Sequence, residues 1–320
     1  MINIIYGNHG LAIHMQDILE YIRMGLAVNN FDVKYSYSNY ETEAINIAVE
    51  GSASTDTKDG DLFWDHIVLH RKSHPNSRLY ILTTEVLNDS GFNSANSSLA
   101  NNDKGHLHYD NRPYWIARTI TFLQALPYTD GLILNGEYSI AEYAKISKRY
   151  FYLPLSAPSD SSIAGRQFGS KNKGHKDIDI LFTGTITPYR EAILSNLKSY
   201  GLSVHKLEPH TPDYIRQDFF GRCRLSVGLK LSENTQLLSK YRAYYHLINE
   251  IPHLFEPVGM KTDLDEYINF SNAEQDFAQQ CLEYIRSGES RMRDCFQRFR
   301  ESTQLNHQTI FTDLHQFLIQ

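Results

Sequence analysis

Cysteine is scarce in this sequence, with Cys223, Cys281 and Cys295 the only three in 320 residues. They are scattered, odd in number and follow no metal-ligand spacing, so no disulfide framework or zinc module can be built from them, and free thiols in a reducing compartment are expected. Positive charge is short as well. Thirty-one Lys and Arg face 37 Asp and Glu, a net charge of −6, and the sequence pI is about 6.2. That balance removes the electrostatic footprint of a protein that coats DNA or RNA. No apolar run approaches the roughly 18–20 residues that span a bilayer, and the mean hydropathy is −0.43. The opening MINIIYGNHG has no positive region ahead of an apolar core, does not read as a signal peptide, and leaves a cytoplasmic location as the expectation. No Gly-x-Gly-x-x-Gly follows the first strand, which argues against a nicotinamide dehydrogenase, and no Gly-x-Ser-x-Gly elbow supports a serine triad. What is present is ordinary globular composition, 41% hydrophobic and 21% charged, and a length that makes about two domains of roughly 150 residues.

Short β-rich runs alternate with helical periodicity along the whole chain, the pattern of parallel sheets flanked by helices. Asn3–Tyr6 opens as a strand, ends at Gly7-Asn8-His9-Gly10, and leads into a helix on which Met15, Ile18, Leu19, Ile22 and Leu26 recur. Further strands are expected at 32–37, 45–49, 79–83, 132–135 and 150–153, with helices near 62–71, 114–126 and 139–146. Residues 88–111 are rich in Asn, Ser and Gly without apolar periodicity, so they read as the mouth of a site, a partly disordered segment or a surface insertion. Residues 158–176 collect glycine and lysine with almost no large apolar residue, a linker whose basic character could also touch an anion. A second α/β pattern begins at Ile178–Phe182, turns at 184–188 with Thr187 as N-cap and Pro188 at the first helical position, and continues through strands at 203–206, 225–229 and 253–256. A helix is expected over 235–249, and successive helices from Asp263 end in 306–320. The domains are thus 1–157, a linker at 158–176, 177–303, and a last helix at 304–320.

Four places in the second half carry chemistry. A glycine between strand and helix at Phe182-Thr183-Gly184-Thr185 lets backbone approach a phosphate, with helix N–H groups behind it; such turns are also common as plain structure. Lys230 ends the strand Ser226–Leu229 at the carboxyl edge, where open α/β sheets bind ligands. Arg242, in Lys240-Tyr241-Arg242, could contact a diphosphate with both guanidinium arms, although each cation alone is more often a surface residue. Glu256, closing His253–Phe255 ahead of Pro257, is placed to accept bonds from sugar or ribose hydroxyls, or simply to end a strand in solvent.

This order of a strand, a Gly loop and the helix start with Arg190, then Val227-Gly228-Leu229-Lys230, Tyr241-Arg242 and Phe255-Glu256, resembles the donor domain of GT-B glycosyltransferases. Asp265–Phe270 and the Arg-rich closing helices resemble the ends of such enzymes, while the first half resembles them through Ile4–Leu11 and its α/β alternation. The resemblance implies two Rossmann-like doubly wound domains facing a central cleft, with a nucleotide-sugar on the C-terminal one, an acceptor on the N-terminal one, and a last helix crossing back. The function it implies is metal-independent transfer of a sugar from a nucleotide-sugar to a glycan or glycosylated acceptor, in a setting such as bacterial surface-polysaccharide synthesis. Gly184, Thr185, Arg190, Lys230 and Arg242 would then neutralise the diphosphate leaving group, and Glu256 would hold donor hydroxyls. His9 is the candidate base, with Glu85 and Asp110 as rivals. No cofactor and no metal is expected. The sequence departs from the family where a pair of glutamates separated by seven residues is familiar: Glu250 and Glu256 are six apart, so only Glu256 is carried over and the retaining subclass is not implied.

The alternatives are a non-catalytic nucleotide-sugar or glycan binder on the same fold, and an epimerase of the same two-domain shape, which lacks support beyond the fold. His66, His70 and His74 recur every four residues, but without carboxylate or thiolate partners they read as an amphipathic surface rather than a metal site. His106 and His108 carry no more. The 21 tyrosines, with clusters at 35–37 and 241–245, could stack on sugars but are explained by sheet and helix positions. Exposed Tyr and Phe would permit a homodimer. The long loop leaves room for peripheral membrane contact, though nothing amphipathic and basic argues for it.

Overall fold

A computed structural model describes residues 1–7, 9–50, 63–88, 91–92, 112–158, 175–208, 211–233, 235–287 and 289–320. The chain divides into two compact units, Met1–Pro154 with Gln308–Gln320, and Leu155–His307. Of the expected linker, residues 159–174 lie outside the described residues, as do most of the Asn-rich stretch, 89–90 and 93–111.

The first unit is built on β1 (Ile2–Ile5), α1 (His9–Val28), β2 (Val33–Ser36), β3 (Ile45–Val49), α2 (Phe63–Ser73) and β4 (Arg78–Thr83). There follow a two-stranded antiparallel ribbon, β5 (Leu87–Asn88) with β6 (Gly91–Phe92), and then α3 (Arg112–Ala125), β7 (Gly131–Leu134), α4 (Ile140–Ile146) and β8 (Tyr150–Tyr152). Six strands pair in parallel in the order β2-β1-β3-β4-β7-β8. All four residues of β1 and of β7 are buried. A parallel sheet covered on both faces needs such continuous apolar runs, which is why these strands read clearly in the sequence. Ile5, Ala48, Ile81, Leu132 and Leu134 from the sheet pack with Trp64 and Ile67 of α2 and Trp115 and Phe122 of α3. Register has a polar determinant too. Asn3 and Asn46 face each other across β1 and β3, fully buried, and the Asn3 amide donates to Asn46 Oδ1 at 3.0 Å and to the Asn39 carbonyl at 2.7 Å. A one-residue slip would strand both amides without partners.

The second unit carries β9 (Ile178–Thr183), α5 (Pro188–Ser199), β10 (Val204–Leu207), α6 (Asp213–Arg222), β11 (Cys223–Gly228), α7 (Lys240–Ile248), β12 (His253–Phe255), α8 (Phe277–Ser287) and α9 (Glu289–Thr303). Its four strands are parallel in the order β10-β9-β11-β12. The expected N-cap is present: Thr187 is extended, its hydroxyl accepts the Arg190 N–H, and Pro188 opens the helix. One expectation fails. The helix placed over 235–249 begins only at Lys240, because the segment before it is tied elsewhere. The Thr235 hydroxyl accepts the Ser232 N–H at 3.0 Å, and the Gln236 carbonyl accepts the Met260 N–H at 2.9 Å, so these groups bond to loops instead of a helical ladder.

The last helix, α10 (His307–Ile319), returns the chain to the first unit. Phe311 fills a notch that Gly25 leaves in α1, where a Cβ would come within 2.0 Å of the ring, and Phe317 packs tilted against the rings of Tyr80 and Phe151. Phe311 and Leu314 are fully buried, and each such side chain contributes about 1.5–3 kcal/mol.

Candidate functional site

Both sheets are doubly wound, so each has a point where the strand order reverses and the loops on either side part at the carboxyl edge. In the second unit the reversal lies between β9 and β11. The loop after β9 is Gly184–Thr187, and the loop after β11 is Leu229–Ser232. Gly184 has φ +131°, and a Cβ there would sit 2.7 Å from Arg242 Nη2, so the guanidinium of α7 lies against the bare turn. Only glycine permits both the backbone angle and that approach. The Arg242 guanidinium carbon is 5.8 Å from the centre of the Phe182 ring, which underlies the turn. Among the described residues the N–H groups of Thr185 and Ile186 have no hydrogen-bond partner, and α5 starts two residues later. Open N–H groups ahead of a helix N-terminus, beside a guanidinium, make an arrangement that favours an anion.

Lys230 is half-buried, and its ammonium donates to the Glu233 carbonyl at 3.3 Å, its one side-chain hydrogen bond among the described residues. Glu256 is 9% exposed; its carboxylate accepts the Lys230 N–H at 2.6 Å on one oxygen and the Tyr189 hydroxyl at 2.5 Å on the other. Burial and then the bond to this carboxylate hold the Tyr189 hydroxyl well above the ordinary phenol range, so it remains the donor. Arg190, 7% exposed, points inward: Nη1 donates to the Thr185 carbonyl at 2.7 Å, Nη2 to Leu229 at 2.8 Å and Nε to Lys230 at 2.9 Å. The residues singled out in the second half, Gly184, Thr185, Arg190, Lys230, Arg242 and Glu256, therefore gather around one reversal point, with Arg190 and Glu256 turned to the chain itself.

Behind this edge lie two fully buried histidines. His246 Nδ1 faces the Arg242 carbonyl at 2.5 Å, which can only accept, so Nδ1 carries the proton and Nε2 accepts from the Ser226 hydroxyl at 2.8 Å. His253 is fixed likewise by the Ile251 carbonyl at 2.9 Å, and burial lowers its pKa to about 4. Burial and the neighbouring His253 also push His246 well below the usual range. Both stay neutral, and His246 ties α7 to β11 through Ser226.

In the first unit the order reverses between β1 and β3. Glu50, directly after β3, is fully buried; one oxygen accepts from the Thr84 N–H, the Thr84 hydroxyl and the Glu85 N–H, and the other from Arg118 Nε at 3.0 Å and Nη2 at 2.7 Å. Glu85 lies 3.5 Å from Arg118 Nη2 and is partly open to solvent, its side chain 21% exposed. The structure thus places Glu85 at the carboxyl edge beside a buried ion pair, Glu50–Arg118, that sequence reasoning missed. The signal was there in the Trp115, Arg118, Thr119, Phe122, Ala125 stripe, where a guanidinium sits on the apolar face of a helix. The side chain of His9, at the start of α1, and the whole of Asp110 lie outside the described residues. Among the described residues no three His, Cys, Asp or Glu gather as a metal site, and no helix is long and apolar enough to cross a membrane.

No protein-family model matches the sequence, and no curated protein does. Solved structures do match in shape. An alpha-glucosyltransferase in complex with UDP and a 13-mer DNA containing an HMU base aligns with a TM-score of 0.58 at 11% identity, over 100% of this chain and 99% of that one. The N-terminal domain of the Candida albicans trehalose-6-phosphate phosphatase aligns with a TM-score of 0.52 at 11% identity, over 88% of this chain and 72% of that one. At such identity the likeness is one of fold. It agrees with the parallel, doubly wound sheets in giving the chain the GT-B fold.

Proposed function

We propose that this GT-B chain is a glycosyltransferase that binds a nucleoside-diphosphate sugar at the carboxyl edge of the second sheet and transfers the sugar to a hydroxyl of a glycan or glycosylated acceptor. The observation that carries the reading is the placement of Arg242 against the Gly184 turn, with Lys230 on the loop across the β9/β11 reversal. Departure of a nucleoside diphosphate leaves negative charge on the β-phosphate, and cations already in place stabilise that charge without reorganising. Arg242 can take two phosphate oxygens at once, Lys230 supplies a point charge, and the N–H groups of Thr185 and Ile186 complete the cradle. With two side-chain cations in this role, the transfer needs no metal. A cytoplasmic setting goes with this reading.

The acceptor proton would pass to a base of the first unit, for which His9, Glu85 and Asp110 are the candidates. Of these, Glu85 has its side chain described, at the end of β4 beside Arg118. The DNA of the structural neighbour is not carried over, since 37 acidic residues against 31 basic ones disfavour a polyanionic acceptor.

The test is a thermal-shift and calorimetric screen of the full chain against UDP, ADP, GDP, CDP and dTDP, with the neighbour's UDP tried first. One diphosphate is expected to raise the melting temperature in the presence of EDTA, and Arg242→Ala to abolish the shift. No shift with any of the five would remove the donor site. Binding without turnover of the matching nucleotide-sugars would leave a recognition protein in place of a transferase.

A further inference from the structure

We infer that Arg190 and Glu256 are positioning residues that hold the main chain of Lys230 so that its ammonium is presented to the diphosphate, an inference that rests on the donor site proposed above. Both polar groups of the Lys230 backbone are tied to charged side chains, its N–H to Glu256 at 2.6 Å and its carbonyl to Arg190 Nε at 2.9 Å. The carbonyls on either side are held as well, Leu229 by Arg190 Nη2 at 2.8 Å and Leu231 by the Thr187 hydroxyl at 2.9 Å. Three consecutive carbonyls of the loop after β11 therefore end on the first turn of α5. The same turn reaches Glu256 through the Tyr189 hydroxyl, and Arg190 Nη1 closes back on the Thr185 carbonyl of its own loop. Two loops on opposite sides of the reversal point and the end of β12 are clasped by Thr187, Tyr189 and Arg190.

Such a clasp does for Lys230 what lysine lacks by itself. Its long stem carries a large rotamer entropy, and a cation presented from a fixed backbone loses less freedom on meeting an anion than one on a wandering loop. Arg190 is the cation nearest the glycine turn in sequence, yet its Nε, Nη1 and Nη2 are all directed at carbonyls. The geometry points to Lys230 as the group that meets phosphate and to Arg190 as the group that places it. A lysine at position 190 could not span carbonyls of both loops from three nitrogens, so Arg190→Lys keeps the charge and loses the clasp.

The experiment is a double-mutant cycle on the full chain, read by calorimetry with the nucleoside diphosphate that the wild-type chain binds and with its parent nucleoside. Arg190→Lys is expected to weaken the diphosphate about tenfold, Lys230→Ala about thirtyfold, and both to leave nucleoside affinity within about twofold. In the Lys230→Ala background, Arg190→Lys is expected to add less than about twofold, because the group it places is gone. Glu256→Gln, which keeps an acceptor for the Lys230 N–H, is expected to retain most of the affinity that Glu256→Ala loses. Additive losses, or a parallel fall in nucleoside affinity, would assign Arg190 a merely structural part and overturn the inference while the donor site stands. A wild-type chain that binds no nucleoside diphosphate would overturn the donor site itself, and this inference with it.

Discussion

Arg118 in the first unit and Arg190 in the second are both nearly buried, 3% and 7% exposed, and both stand at the carboxyl edge of a parallel sheet. Arg118 meets a carboxylate, with Nε and Nη2 on one oxygen of Glu50 and Nη2 also on the Glu50 carbonyl at 2.8 Å. Arg190 meets main chain, with Thr185, Leu229 and Lys230 each giving a carbonyl. The first arrangement neutralises a charge that the fold has buried, and its partner is equally dependent on it. The second spreads one side chain over two loops and fixes their spacing. A buried arginine can thus be a stability element or a positioning element, and its partners decide which.

Deleting each guanidinium separates the two uses. Arg118→Ala leaves Glu50 buried and uncompensated, which costs about 3–5 kcal/mol, whereas Arg190→Ala leaves neutral carbonyls rather than a charge without their partner and costs less. The chain's two tryptophans, Trp64 and Trp115, both lie in the first unit, so fluorescence in urea reports that unit alone. Arg118→Ala is expected to lower the fluorescence midpoint strongly and Arg190→Ala to leave it unmoved. Replacing both members, Glu50→Gln with Arg118→Met, should recover part of the loss, since no charge is left buried and the amide oxygen still accepts from the Thr84 and Glu85 N–H groups. Equal shifts from the two alanine variants would erase the distinction.

Acid separates the units next. Three nearly buried histidines, His246, His253 and His307, belong to the second unit. Burial lowers His253 and His307 from 6.5 to about 4, and burial with the neighbouring His253 holds His246 well below the usual range. A histidine whose folded pKa is depressed binds protons more readily when unfolded, so its contribution is whole above about pH 6.5 and is lost as pH falls toward 4. His253 alone, 2.5 pH units from 6.5 to about 4, stands for about 3 kcal/mol over that window. In the first unit His70 and His315 are also lowered by burial, yet both remain partly exposed. Hydrogen exchange between pH 7 and 4.5 should show protection falling first in β11, α7 and β12. His253→Gln should narrow the difference between the units, and simultaneous loss in both would sink it.

The legible parts of the molecule are those set by near neighbours in sequence. Asn3–Tyr6 and Ile178–Phe182 read as strands, one residue off for the first, because buried apolar runs mark a covered parallel sheet, and Thr187-Pro188 read as a helix start because a cap is a contact three residues long. The six candidate residues of the second half were also within reach, since they end strands or open helices around one sheet edge. Their division of labour was not. Arg190 reads as a phosphate contact until its partners, some 40 residues away, are known. Glu50 and Arg118, 68 residues apart, escaped for the same reason. The start of α7 was misplaced because the Met260 N–H, far down the chain, takes the Gln236 carbonyl.

The smallest effect tests whether the clasp depends on its cap. Thr187 serves twice, accepting the Arg190 N–H at 3.2 Å and donating to the Leu231 carbonyl at 2.9 Å. Thr187→Ala removes both, and loss of an N-cap alone costs about 1 kcal/mol. In a unit of this size that is a fall of about 3 °C in melting temperature. Thr187→Ser retains the hydroxyl and should restore nearly all of it. If the cap merely starts a helix, exchange in the alanine variant will rise at the Arg190 amide alone. If it is also a rivet of the clasp, the amides of the loop after β11 will lose protection with it, although that loop lies more than 40 residues further along the chain. The first unit offers the control, because its fluorescence midpoint should not change.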